Sequence, residues 1–76
     1  MAEKTNRFQQ NVPGAYYVDE SCIDCDMCRT TAPNVFHREE EIGFSVVHRQ
    51  PTTHEDRALA EEARQGCPSD SIGNDG

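Results

Sequence analysis

A chain of 76 residues with 34% hydrophobic residues and no tryptophan has room for one domain with a thin core, a size class that depends on a staple such as a disulfide, a metal or a partner chain. Fourteen acidic residues against seven basic give a formal charge of −7, a field that repels nucleic acid and anionic lipid and steers the protein toward basic patches on other proteins. No apolar run is long enough for a signal peptide or a membrane span, so the composition excludes a membrane protein and predicts a cytoplasmic monomer.

In chain order, residues 1–12 read as a polar arm with Phe8 as its only aromatic, and Asn11-Val12-Pro13-Gly14 signals a turn that no strand crosses. Ala15-Tyr16-Tyr17-Val18 reads as a short strand, of whose two tyrosines only one can face inward. Arg29 to Ala32 holds about one helical turn before Pro33 stops it. Val35 and Phe36 are expected in the core and His37 to Glu41 on the surface. The stretch Ile42 to His48 alternates Phe44, Val46 and His48 against Ser45 and Val47, as a strand of a hairpin would, which places His48 partly inside.

Thr52-Thr53-His54-Glu55 fits a capping box, in which hydroxyl and carboxylate satisfy each other's backbone donors. The helix it opens is predicted from about Thr53 to Gln65. Ala58, Leu59, Ala60 and Ala63 fall on its buried side, Arg57 pairs with Glu61 outside, and Gly66 serves as a left-handed cap. Ile72 returns as a short strand beside residues 15–18, and residues 73–76 are expected to fray.

The cysteines carry the chemistry. Cys22, Cys25 and Cys28 follow one another at a spacing of three, and the fourth, Cys67, stands far along the chain directly before Pro68. Three cysteines crowded together make poor disulfide partners for one another. C-x2-C-x2-C with a remote C-P is instead the thiolate pattern of a cubane iron–sulfur cluster. One 4Fe-4S cluster bound by Cys22, Cys25, Cys28 and Cys67 is therefore expected. It would supply bulk and cross-links to a meagre core, so the chain without it is expected to be largely unfolded. Four thiolates around a doubly positive core would bring the total charge to about −9.

Ile23 and Met27 are the apolar residues placed to shield the sulfides, while loop N–H groups are free to donate to sulfur. One tyrosine of the preceding strand is expected near the cluster, unless the two are simply the strand's two faces. Asp24 and Asp26 put negative charge beside the centre, worth about 0.5 to 2 kcal/mol each if they act through a surface dielectric and little if they are merely solvated.

The run Tyr17 to Cys25, the segment Cys28-Arg29-Thr30-Thr31-Ala32-Pro33 and the segment Cys67-Pro68-Ser69-Asp70-Ser71-Ile72 resemble bacterial-type ferredoxins that keep a single cluster. In two-cluster relatives a Cys-Pro follows the first triad and ligates the other cluster. Ala32-Pro33 stands there in this chain, and the second triad has given way to the predicted helix. Where relatives often carry glycine after the second cysteine, this chain has Asp26, which puts the local loop geometry in question. The resemblance implies an α+β fold of two pseudo-symmetric βαβ-type halves with short antiparallel sheets. It also implies one-electron transfer between a reductase and an acceptor that present basic docking patches.

Three other readings stay open. Zinc also takes four cysteines, though structural sites usually pair one C-x2-4-C with a second. A 3Fe-4S form would arise by loss of one iron. An accessory or sensor module of a partner enzyme is the third, since His48-Arg49-Gln50-Pro51 is similar to a run in ferredoxin domains attached to metallo-β-lactamase-type hydrolases. His37 and His54 sit in charged or helix-start contexts that suit solvent, and no nucleophile–base pair, phosphate loop or paired carboxylates are visible. Catalysis is therefore not expected.

Overall fold

The computed structural model describes residues 2–76; the first residue of the expected arm lies outside them. Strand β1 (Tyr17–Val18), helix α1 (Met27–Thr31) and strand β2 (Phe36–Glu39) form one half; strand β3 (Phe44–Val47), helix α2 (His54–Gly66) and strand β4 (Ile72–Gly73) form the other. Each half runs strand, helix, strand, and the halves join edge to edge. β1 pairs antiparallel with β4, setting Val18 opposite Ile72, and β2 pairs antiparallel with β3, setting Phe36 opposite Val47. The expected α+β architecture with two short antiparallel sheets is what the chain adopts.

Val18, Val35, Phe36, Val47, Ala60, Ala63 and Ile72 form the buried cluster between the helices and the two sheets. Strand β2 runs through the stretch expected to be plain surface: His37 and Arg38 are exposed, yet their backbones pair with Val46 and Ser45. In β3 the expected alternation fails. Ser45, Val46 and Val47 are all buried, because β3 packs between sheet partner, arm and cysteine loop, while His48 is exposed and stacks on His37 with ring centroids 3.9 Å apart.

Helix α2 opens as its threonines predict, with Thr53 Oγ1 accepting from the Asp56 N–H at 3.0 Å, so Asp56 and not Glu55 is the capped residue. Ala60 and Ala63 are buried and Leu59 partly so, but Ala58 is exposed. Gly66 has no left-handed conformation and continues the helix, which ends at Cys67 in an extended conformation, φ −68° and ψ 116°. Glu61 pairs with Arg64 at 2.7 Å, not with Arg57. It also accepts from the Tyr16 hydroxyl at 2.5 Å and from Asn74 at 2.9 Å, tying helix, the residue before β1 and the C-terminal segment together.

Both chain ends are tied down where the sequence suggested looseness. Phe8 donates its N–H to the Val18 carbonyl at 3.1 Å and stacks on Phe44, with centroids 5.5 Å apart. At the other end Gly73 pairs with Tyr17, Asp75 accepts from the Tyr17 hydroxyl at 2.6 Å, and the Gly76 N–H donates to the Ala15 carbonyl at 2.9 Å. The tyrosine ring lies across Gly73 so closely that a Cβ there would run into it.

Asn11, read from sequence as part of a turn, is the junction between arm and sheets. Its side-chain amide donates to the carbonyls of Phe8 (2.8 Å) and Val18 (2.9 Å), and its oxygen accepts from the N–H groups of Val18 (3.1 Å) and Val47 (2.8 Å). All four bonds an asparagine side chain can make are used, on three separate stretches of chain. Asn11→Ala leaves two inner-strand groups without their partner, and denaturation of the holoprotein should show a loss of about 2 to 4 kcal/mol.

The Glu61 cluster gives stability a defined acid limb. Arg64 first, and then the Tyr16 hydroxyl, hold the Glu61 carboxyl down at about 2 against an ordinary 4.5. A carboxylate with a depressed folded value contributes fully above its unfolded value, and the contribution fades as pH falls through the folded one. Glu61 thus stabilises the fold above pH 4.5 and loses that effect between 4.5 and about 2. Thermal unfolding of Glu61→Gln should fall below the parent at neutral pH and converge on it toward the acid end of that window.

Candidate metal centre

The four cysteines converge. Cys22, Cys25, Cys28 and Cys67 line one cavity, together with Val18, Ile72, Ser45 and the mouth residues Ile23 and Met27, around about 310 Å³ of empty space that includes its opening to solvent. None is in a disulfide; Cys28 is buried, Cys22 and Cys67 are half-buried and Cys25 is exposed. A larger hollow under the N-terminal arm, lined by Lys4, Arg7, Phe8 and Tyr17 among others, contains no cysteine.

Local structure explains how each thiol arrives. The Asp19 N–H donates to the Ser71 carbonyl at 2.9 Å just beyond the β1–β4 pair, so the chain leaves β1 and enters β4 at the same place. The Asp19 carbonyl accepts from the Cys22 N–H at 3.2 Å, turning the chain into the loop. Asp24 and Asp26 then take left-handed conformations, with φ of 56° and 73°. This is why glycine suits the position after the second cysteine: the loop doubles back there and needs positive φ. Aspartate is one of the few other residues that visits the region readily. Helix α1 begins earlier than expected, at Met27, and places Cys28 against the core. Cys67 comes from the end of α2, where Pro68 cannot continue a helix and the Asp70 N–H closes a turn onto the Cys67 carbonyl at 3.1 Å.

Asp24 and Asp26 are neither bare charges beside the site nor merely solvated acids. Arg29 donates to Asp24 and Asp26 at 2.7 Å each, and Arg38 donates to Asp24 at 3.2 Å. The Arg29 guanidinium, with Arg38 in support, holds the Asp24 carboxyl below the usual range. The two loop acids are thus both paired with arginines beside the cavity, Arg38 being shared with Glu40 at 2.6 Å, and more of the protein's acidity lies elsewhere, on exposed Glu41, Glu55 and Glu62.

The thiols have distinct surroundings. Burial pushes the Cys28 thiol up, opposed by a hydrogen bond with the Ser45 hydroxyl. Ser45 itself accepts from Arg29 at 2.7 Å. Burial also disfavours the Cys67 thiolate, but hydrogen bonds outweigh it, among them those from the N–H groups of Ser71, Ser69 and Asp70, and hold the thiol down. The Ser71 N–H stands 3.3 Å from Cys67 Sγ, and the Asp24 N–H points at Cys22 Sγ from 3.4 Å; the Ser69 oxygen lies 3.5 Å from Cys67 Sγ in a contact whose proton either atom could supply, so the directed donors here are the two N–H groups. Donors aimed at sulfur are what thiolate ligands of a metal or cluster require.

The family profile described as the 4Fe-4S single cluster domain of ferredoxin I matches residues 18–74, the span that contains all four cysteines, both helices and the Val18–Ile72 pair. The chain belongs to the ferredoxin I family. It is a small iron–sulfur electron-transfer protein. Ferredoxin-1 of Streptomyces griseolus is 33% identical over 51 residues, spanning 67% of this chain and 74% of that protein. The crystal structure of ferredoxin I from Desulfovibrio africanus superposes with a TM-score of 0.67 at 33% identity, covering 75% of this chain and 88% of that one.

Against the sequence reading, this ferredoxin brings all four predicted cysteines to one place, but neither tyrosine reaches the cavity. Tyr16 and Tyr17 both point to the far end, where their hydroxyls meet Glu61 and Asp75; Val18 and Ile72 form the apolar wall instead. Ile23 and Met27 do line the cavity, yet at 59% and 50% exposure they rim its mouth more than they seal it. Ser45, Ser69, Ser71 and Arg29 were missed. The serines two and four residues after Cys67 were within reach of a local-turn argument; Ser45 meets Cys28 only through tertiary packing and left no signal in the sequence.

Proposed function

We propose that the ferredoxin carries one 4Fe-4S cluster on Cys22, Cys25, Cys28 and Cys67. On this reading it passes one electron at a time between a reductase and an acceptor enzyme in the cytoplasm. The observation that carries this reading is the convergence of four unpaired thiols on one cavity with backbone N–H groups aimed at the sulfurs. The donor set fits: all-sulfur ligation suits iron–sulfur clusters, and the thiols surround a space rather than a point. Structural zinc sites usually pair one C-x2-4-C with a second such pair, and three cysteines in seven residues plus a lone fourth depart from that pattern, which disfavours a zinc site.

When bound, the cluster supplies a one-electron couple delocalised over its irons. The chain's own part is to hold it and to adjust its surroundings. Val18 and Ile72 exclude water from the inner side, while the half-exposed Ile23 and Met27 beside exposed Cys25 leave the outer side open for close approach. An apolar mouth whose neighbouring acids are paired with arginines lets a partner come near without desolvating bare carboxylates. The acidic residues elsewhere steer the encounter toward a basic surface, raising its rate more than its affinity.

Protein purified without oxygen should contain four irons and four acid-labile sulfides per chain and should turn over many times between a generic low-potential reductase and an acceptor. A colourless protein with one zinc overturns the assignment, and a tight complex with one protein and no multiple turnover would make the chain an accessory module. Cys67→Ser, or chelation of the iron, should abolish both the visible absorption and most far-ultraviolet circular dichroism, because the thin core loses its cross-link.

Ser45 gives a finer prediction. Arg29 donates to its oxygen, leaving its own proton for Cys28, so this hydroxyl stabilises the more negative, reduced state. Ser45→Ala should lower the midpoint potential by on the order of tens of millivolts, read by redox titration.

A further inference from the structure

A second chain of hydroxyls ends on Cys67, and its polarity is the reverse of the one at Cys28. Asp19 is 3% exposed, and three donors converge on its carboxylate: the Glu3 N–H at 2.9 Å, the Ser21 N–H at 2.9 Å and the Ser21 hydroxyl at 2.5 Å. From Ser21 the contacts continue to Ser71 Oγ at 2.7 Å, then to Ser69 Oγ at 2.6 Å, and last to Cys67 Sγ at 3.5 Å.

Counting protons orients this chain. A carboxylate can only accept, so the Ser21 proton lies toward Asp19. Two oxygens at 2.6 to 2.7 Å need a proton between them, since without one their lone pairs repel. Ser21 has already donated, so Ser71 must donate to Ser21, and then Ser69 must donate to Ser71. Three hydroxyl protons fill the three short contacts, and none is left for the long one. Cys67, once ligating a metal, has no proton of its own to offer. Ser69 therefore turns a lone pair toward the sulfur, and only backbone N–H groups donate to it.

We propose that Asp19, through Ser21 and Ser71, holds the Ser69 hydroxyl in its non-donating sense against Cys67, making Ser21 and Ser71 positioning residues that keep the potential of the centre low. A bare lone pair facing the sulfur disfavours an added electron, whereas a donated proton would favour it. Arg29 and Asp19 thus set two serines, buried Ser45 and half-buried Ser69, in opposite senses at two ligands, one hydroxyl donating to Cys28 and the other withheld from Cys67. This rests on Cys67 being a cluster ligand.

The test keeps every charge in place. In Ser21→Ala, Ser71 loses its acceptor and is free to donate to Ser69, which then donates to Cys67. The midpoint potential should shift upward, and pulsed paramagnetic resonance of the reduced protein in deuterium oxide should gain one exchangeable deuteron coupled to the cluster. Ser71→Ala, which removes the acceptor of Ser69 directly, should shift the potential the same way. Ser69→Ala should leave the parent potential no lower, and the double variant Ser21→Ala/Ser69→Ala should lose both the upward shift and the added deuteron. A fall in potential in Ser69→Ala alone, an unshifted Ser21→Ala, or a shift that survives in the double variant overturns the proposal. Failure of the ligand assignment is seen separately, as a Cys67→Ser protein that retains full iron and sulfide.

Discussion

The antiparallel pairing of Val18 with Ile72 is the constraint on which the site depends. It brings the start of the cysteine loop and the residues after Cys67 to one place, so that thiols far apart in sequence face a common cavity. Yet β1 and β4 contribute only two residues each, and an isolated ladder of that length has little stability in water. Ligation by Cys22 and Cys67 would close the same two segments from the other side. The pairing positions the thiols, and a group bound by them would in turn hold the pairing.

The rest of the chain supports that junction from its edges. Asn11 bonds to β1 and β3 at once, the C-terminal residues fold back onto Tyr17 and Ala15, and Glu61 reaches from α2 to both. With few large apolar residues to bury, the molecule relies on side-chain hydrogen bonds that join segments distant in sequence. Among the described residues no buried side-chain nitrogen or oxygen lacks a partner, which is the condition under which such a polar framework stabilises a fold.

Charge is distributed with similar economy. The loop acids that the sequence places beside the redox centre are taken up by Arg29 and Arg38, and Arg29 also polarises a buried serine toward Cys28. A single arginine thereby shapes the loop, cancels its charge and acts on a thiol. Among the described residues Asp19 is the only buried carboxylate, and it accepts from the Ser21 hydroxyl, which in turn meets Ser71 at the cavity wall. Surface acidity sets long-range steering, while these inner dipoles act at the range where the dielectric is low and orientation matters.

Much of this was legible in the residues alone. The cysteine spacing singles out four thiols that the structure brings to one cavity, because three lie within one short loop and the fourth stands beside a helix-breaking proline. The threonine cap of α2 and the strand at Ile72 were readable for the same reason, that their causes lie within a few residues of each other. What the sequence could not decide is whatever depends on which distant segments touch. The burial of Ser45, the outward turn of His48, the anchoring of both ends, the neutralised loop acids and the far-side tyrosines all follow from packing of one half against the other. Local periodicity carries no information about that contact, so the four thiols were written in the chain, but the dipoles and charges around them exist only once it is folded.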